Sequence, residues 1–180
     1  MPITLTINGR SIEAEPGSTV LEAALANGIY IPTLCYAPKL KPFGGCRMCV
    51  VEIEKMGGFP TACTVPVADG MVVHTDTPAV QTQRRETLSL LLSDHPYTCL
   101  TCGSNKNCVE FQGTIRKAAV TTGCNYCPKN GQCEIQTVLT HVGLCEVPYP
   151  ISYRGLPVEH DDPFFDRDMN LCIVCARCVR

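Results

Sequence analysis

Four cysteines in the first third of the chain have the spacing of a metal cradle. Ten residues separate Cys35 from Cys46, two separate Cys46 from Cys49, and thirteen separate Cys49 from Cys63. A loop bearing Pro42, Phe43, Gly44 and Gly45 therefore delivers two thiols side by side, while one more arrives from each flank. Soft, deprotonated thiolates converging in this way grip a compact iron–sulfur cluster. The looser-then-tighter pattern is that of plant-type [2Fe-2S] proteins, although the first gap here is longer than the C-x4-C usual there. Glycines in the loop let backbone amides approach the sulfurs and tune them.

The stretches "IPTLCY", "GGCRMCVVEIE" and "PTACTVPVADGMVV" around these cysteines resemble the N-terminal iron–sulfur region of the large subunit of respiratory complex I and of its relatives in NAD-linked formate dehydrogenases and hydrogenases. The next motif, "DHPYTCLTCGSNKNC", fits the same resemblance, with His95 followed by Cys99, Cys102 and Cys108 as in that family's His/Cys3 [4Fe-4S] site. A lone His after a helix is ordinarily a surface or capping residue. Three thiolates, however, need a fourth donor to close a cubane, and His95 is the nearest. One imidazole in place of a thiolate removes a negative charge and should raise the reduction potential.

Residues 124–133 repeat the two-and-five spacing as Cys124, Cys127 and Cys133, with Val120 where the His would stand. Cys145, separated from Cys133 by eleven residues, is the obvious fourth thiol, and His141 its substitute. The favoured reading is an additional [4Fe-4S] cluster on Cys124, Cys127, Cys133 and Cys145. A structural zinc ribbon on Cys99, Cys102, Cys124 and Cys127 is a second, and a rearranged ligand set is a third. The chain closes on "CIVCARCVR", in which Cys172, Cys175 and Cys178 have the C-x2-C-x2-C run of bacterial [4Fe-4S] ferredoxins but stop before the fourth Cys. From that missing ligand the 180 residues are expected to be a fragment of a longer subunit.

The elements that must position these thiols are short. Residues 3–7 and 10–15 alternate as strands around Asn8-Gly9, a strong hairpin signal. Thr19 opens a helix over "TVLEAALAN", with an apolar face of Val20, Leu21, Ala23, Ala24 and Leu25 and with Gly28 just past its end. Strands are expected at 48–54, 61–65 and 71–75. Pattern and resemblance together give an α+β chain with a β-grasp [2Fe-2S] ferredoxin domain over 1–78. A helix from Pro78 carries Val80, Leu88, Leu91 and Leu92 at helical spacing into the His95 motif. Residues 79–146 then form a helical, loop-rich His/Cys3 domain with a Cys-rich insertion. A Pro-rich linker follows over 147–165, and an incomplete [4Fe-4S] ferredoxin domain occupies 166–180. His160, Asp161 and Asp162 read as plain loop, whereas Tyr149, Tyr153, Phe164 and Phe165 are expected to cover clusters and seams.

Fourteen cysteines in 180 residues would suit a disulfide scaffold, but the chain opens on an alternating strand and not on a signal segment, so reduced thiols and a cytoplasmic location are expected. A net charge of −2 offers no field for nucleic acid, and no apolar run is long enough to insert in a membrane. A ferric [2Fe-2S] core on four thiolates carries about −2, which Arg47 and the Arg84–Arg85 pair could offset, unless the pair is simply solvated on an exposed helix face. Neither G-x-G-x-x-G nor G-x-x-x-x-G-K-[ST] occurs, and no carboxylate pair or Ser/His/Asp set has convincing context, so no active site lies within these residues. The function expected is electron relay between a flavin- and NAD(P)-binding iron–sulfur subunit and a downstream redox domain or subunit. The alternatives are the front of a molybdenum or tungsten formate dehydrogenase, to which "KPFGGCRMC" and "CIVCARCVR" lean, the front of an [FeFe]-hydrogenase subunit, or a zinc-stabilised adaptor.

Overall fold

In a computed structural model, residues 2–101, 132–150, 152 and 154–180 are described. They divide into two compact units, 1–87 with 175–180, and 88–174.

The first unit begins with β1 (Ile3–Ile7) and β2 (Arg10–Ala14), antiparallel around Asn8 and Gly9, whose φ values of 51° and 79° are those of the tight turn that this dipeptide favours. β3 (Glu52–Ile53) and β4 (Val72–His74) complete a four-stranded mixed sheet in the order β2-β1-β4-β3, with β4 parallel to β1 and β3 antiparallel to β4. α1 (Val20–Ala26) buries Val20, Leu21, Ala23 and Ala24 in one core with Leu5, Ile7, Ile12, Val51 and Val73. That core also takes in Cys49 and Cys63, so the hydrophobic packing that holds the sheet also holds two of the thiols.

Thr19 and Glu22 cap α1 reciprocally. The Thr19 hydroxyl accepts from the Glu22 N–H at 3.2 Å, and the Glu22 carboxylate accepts from the Thr19 N–H at 2.8 Å. Thr19→Ala should cost about 1 kcal/mol, read as a lower urea midpoint with an unchanged slope.

Two expected strands differ in the structure. The one placed at 48–54 shrinks to Glu52–Ile53, and residues 61–65 form a turn that touches Val50 only through an isolated bridge at Thr61. The cause is local. The Thr61 carbonyl accepts from the Thr64 and Val65 N–H groups at 3.0 and 3.2 Å, and the two threonine hydroxyls lie 2.6 Å apart, which curls the chain around Cys63.

α2 (Pro78–Leu92) starts at the expected proline, which needs no N–H partner in a first turn. Val80, Arg84, Leu88 and Leu92 recur every fourth residue and are all fully buried. The second unit adds the short α3 (Thr98–Thr101), α4 (Glu134–Val142) and a 3-10 turn at Met169–Leu171. The irregular stretch before that turn is pinned by Ser152 N–H donating to the Ser93 carbonyl at 2.7 Å, and by the Asn170 side chain, which both donates to and accepts from the Leu156 backbone at 2.8 Å. Phe164, expected to cover a seam, is 92% exposed, and Phe165 is half exposed against Arg167. Tyr149 is half buried, and Tyr153 lies outside the described residues. No helix among the described residues is long and apolar enough to cross a membrane.

Candidate metal centre

The cradle is built by the loop between α1 and β3 and by the turn at 61–64. Cys35, Cys49 and Cys63 are buried and Cys46 is half buried. The thiols fall into two hydrogen-bonded pairs, Cys35 with Cys46 and Cys49 with Cys63. Within the second pair the Cys49 thiol donates to Cys63. That bond lowers Cys63 to about 7, helped by a Gly44 backbone amide and the Thr61 hydroxyl, and it drives Cys49 upward together with burial. Burial likewise raises Cys46, against backbone hydrogen bonds from Met48 and Leu34.

The loop conformation explains its composition. Gly44 has φ +67°, and a Cβ there would stand 2.8 Å from the Thr61 hydroxyl oxygen. At Gly45 a Cβ would stand 2.4 Å from the Phe43 ring. Arg47, inside the C-x2-C turn, is left-handed at φ 56° and anchored by donating to the Phe59 carbonyl at 2.8 Å. Arg180 closes the rim. Its guanidinium lies 4.3 Å from the Phe43 ring centroid and donates to the Lys41 and Cys35 carbonyls at 2.6 and 2.7 Å. Gly45→Ala should push the Phe43 ring aside and cut cluster loading by roughly tenfold, the lower end of what losing an outer support costs; acid-labile sulfide per chain measures it.

The donor set fits a binuclear cluster better than a single ion. Among the described residues no three His, Cys, Asp or Glu side chains converge to hold one metal ion. Two thiol pairs side by side are what a [2Fe-2S] core needs, one pair for each iron, whereas a lone zinc needs all four sulfurs about one point.

One of the two sequence readings of Arg84 puts it on an exposed face. The structure corrects this, because its side chain is wholly buried. Nε donates to the Met48 carbonyl at 3.0 Å, one terminal nitrogen donates to the Val50 carbonyl at 2.8 Å, and the other lies 3.3 Å from Asp76 Oδ1. The signal is present in the sequence, since Arg84 is four residues from Val80 and four from Leu88 on the apolar stripe of α2.

His95 is buried, at 8% exposure, just past α2. Nδ1 lies 2.8 Å from the Pro96 carbonyl, which can only accept, so Nδ1 carries the proton and Nε2 is the atom left to act as a ligand. The ring also meets the Leu171 backbone, and burial lowers its pKa, which favours the neutral form. Cys99 falls within α3, but its side chain, together with Cys102, Cys108, Cys124 and Cys127, lies outside the described residues. The zinc-ribbon reading falls there too. Cys133 is half buried at the N-terminus of α4, and Cys145 is exposed two residues beyond its left-handed Gly143. Half-buried His141 sits in the last turn.

In the C-terminal run, Cys172 belongs to one unit and Cys175 and Cys178 to the other. Val174 (φ 54°) donates its N–H to Cys172 Sγ at 3.4 Å, and Ala176 is left-handed at φ 57°. The left-handed residue directly after the first Cys of a C-x2-C thus recurs, as Arg47 after Cys46 and Ala176 after Cys175. Cys172 lines a small cleft with Leu91, Asp94 and Arg154, the last two joined by a bidentate ion pair.

Residues 1–78 match the family described as a 2Fe-2S iron-sulfur cluster binding domain, and residues 84–120 match the NADH-ubiquinone oxidoreductase-G iron-sulfur binding region. The chain is 37% identical to a G-type NADH-quinone oxidoreductase subunit of Rhizobium meliloti (strain 1021), with 99% of this chain and 18% of that protein covered. It is 36% identical to the HndD subunit of the NADP-reducing hydrogenase of Solidesulfovibrio fructosivorans, over 98% of this chain and 27% of that protein. Against a chain in the crystal structure of an NAD+-reducing [NiFe]-hydrogenase in the H2-reduced state, the TM-score is 0.77 at 30% identity, covering 98% of this chain and 64% of the other. The chain thus spans about a fifth to a quarter of these two curated relatives.

Proposed function

Because the chain belongs to the NADH-ubiquinone oxidoreductase-G iron–sulfur family, through its [2Fe-2S] and [4Fe-4S] regions, we propose that it relays single electrons within a multi-subunit oxidoreductase. The observation that carries this reading is the cradle of Cys35, Cys46, Cys49 and Cys63, three of them buried, paired two and two across the glycine loop and the 61–64 turn. When bound, the clusters supply one-electron carriers whose potentials follow ligand type, burial and hydrogen bonding.

In this reading Cys35 and Cys46 hold one iron of the [2Fe-2S] cluster, and Cys49 and Cys63 hold the other. Apolar packing by α1 and the sheet keeps water from the buried sulfurs. The domain over 1–78 is a β-grasp fold, supported by a helix packed on a mixed sheet of order β2-β1-β4-β3. His95 offers Nε2 beside Cys99, Cys102 and Cys108 for a cubane in a domain over 79–146. Cys124, Cys127, Cys133 and Cys145 hold an additional [4Fe-4S] cluster. After the 147–165 linker, Cys172, Cys175 and Cys178 in 166–180 supply three ligands of a further one. The donor is a flavin- and NAD(P)-binding iron–sulfur subunit, and the acceptor is a redox centre elsewhere in the assembly, in the cytoplasm. The two curated relatives described above belong to a quinone oxidoreductase and a hydrogenase, which gives the formate-linked leaning no support.

An EPR-monitored reductive titration of the anaerobically purified protein tests the relay. The expected result is a [2Fe-2S]-type and at least one [4Fe-4S]-type signal, each appearing with n = 1 and each abolished on reoxidation by a one-electron acceptor. Iron that binds but does not change redox state would rule the relay out.

A further inference from the structure

We propose that Arg84 is a positioning residue for the [2Fe-2S] site, fixing the segment that carries Cys49 and setting the potential with its permanent charge; the proposal rests on the cluster reading above. The guanidinium holds the carbonyls of Met48 and Val50, the residues on either side of Cys49. In a trans peptide the C=O and N–H point opposite ways, so capturing the Met48 oxygen also fixes the direction of the Cys49 N–H. The Val50–Val51 peptide is held from both sides, by Arg84 at the oxygen and by the Pro60 carbonyl at the Val51 N–H, 3.0 Å away. Ala62 N–H in turn donates to the Cys49 carbonyl at 2.9 Å, so the braced segment is tied to the turn bearing Cys63.

Charge points the same way. A buried guanidinium is costly unless negative charge accompanies it. The carboxylate paired with it, Asp76, is 46% exposed, lies at 3.3 Å, and shares the same oxygen with Gln81 at 2.7 Å. A half-exposed carboxylate is screened and compensates weakly. After Asp76, the next negative group felt at the guanidinium is Cys49, a sulfur that would stay anionic when it holds iron. Adding an electron there deepens the negative charge, so a fixed cation favours the reduced form.

The test is a redox-titrated EPR measurement on the anaerobically purified holoprotein and its Arg84→Gln, Arg84→Lys and Asp76→Asn variants. Arg84→Gln should lower the [2Fe-2S] midpoint, Asp76→Asn should raise it, and Arg84→Lys should stay nearer the wild type than Gln does. A purely structural Arg84 predicts no opposed shifts, and an intact signal that moves in neither direction, or the same way in both, overturns the proposal. Should Arg84→Gln lose the cluster altogether, Arg84→Lys decides, with a cluster kept near the wild-type midpoint in favour of the proposal and a cluster lost as completely as in Arg84→Gln against it. Absence of any [2Fe-2S] signal in the unmodified protein is a different failure, and it removes the relay reading itself.

Discussion

Cys49→Ala should abolish the [2Fe-2S] signal while leaving the [4Fe-4S] signals in place. Cys49 is 1% exposed, lies in the core with Cys63, and sits between the two carbonyls that Arg84 holds. Alanine fits the backbone but leaves one iron a ligand short. Loss of an outer support alone costs about 10–100-fold in metal affinity, so loss of a direct ligand should leave less than about a tenth of the wild-type sulfide at this site. Far-UV circular dichroism separates this from unfolding. The matched control is Thr19→Ala, which weakens a helix cap on the same domain without touching a thiol.

His95 carries the second large effect. His95→Ala should remove one [4Fe-4S] signal and spare the [2Fe-2S] signal, because the two sites belong to different compact units. His95→Cys should keep that cubane and lower its potential, since a thiolate adds the negative charge that the imidazole withholds. The Pro96 carbonyl, 2.8 Å from Nδ1, fixes the tautomer with the proton on that nitrogen. An EPR titration unchanged in His95→Ala would exclude His95 as a ligand.

Much of the first unit is legible from sequence because local chemistry and tertiary structure agree there. Asn8-Gly9 specifies its turn, Thr19 and Glu22 specify the start of α1, and C-x2-C after two glycines specifies the thiol loop. The 61–65 turn reads as a strand because "TACTV" has strand-like residues, and what curls it is a hydrogen-bond pair between Thr61 and Thr64 that alternation does not reveal. Arg84 is half legible. Its spacing from Val80 and Leu88 puts it on the buried stripe, but only the carbonyls of Met48 and Val50, 36 and 34 residues away, show why a cation is tolerated there. Phe164 fails for the opposite reason, since an aromatic in a polar, Pro-rich stretch carries no periodicity to say whether it packs, and here it is exposed.

Metal analysis tests most directly whether the four thiols of the glycine loop and the 61–64 turn grip iron and inorganic sulfide. Iron, zinc and acid-labile sulfide should be counted in the anaerobically purified protein and in a variant with Cys35, Cys46, Cys49 and Cys63 all changed to alanine. The protein should be brown, and the variant should have lost two irons and two sulfides per chain and the [2Fe-2S] signal with them. A colourless protein holding zinc and no labile sulfide, or a variant with its iron and sulfide unchanged, would contradict it.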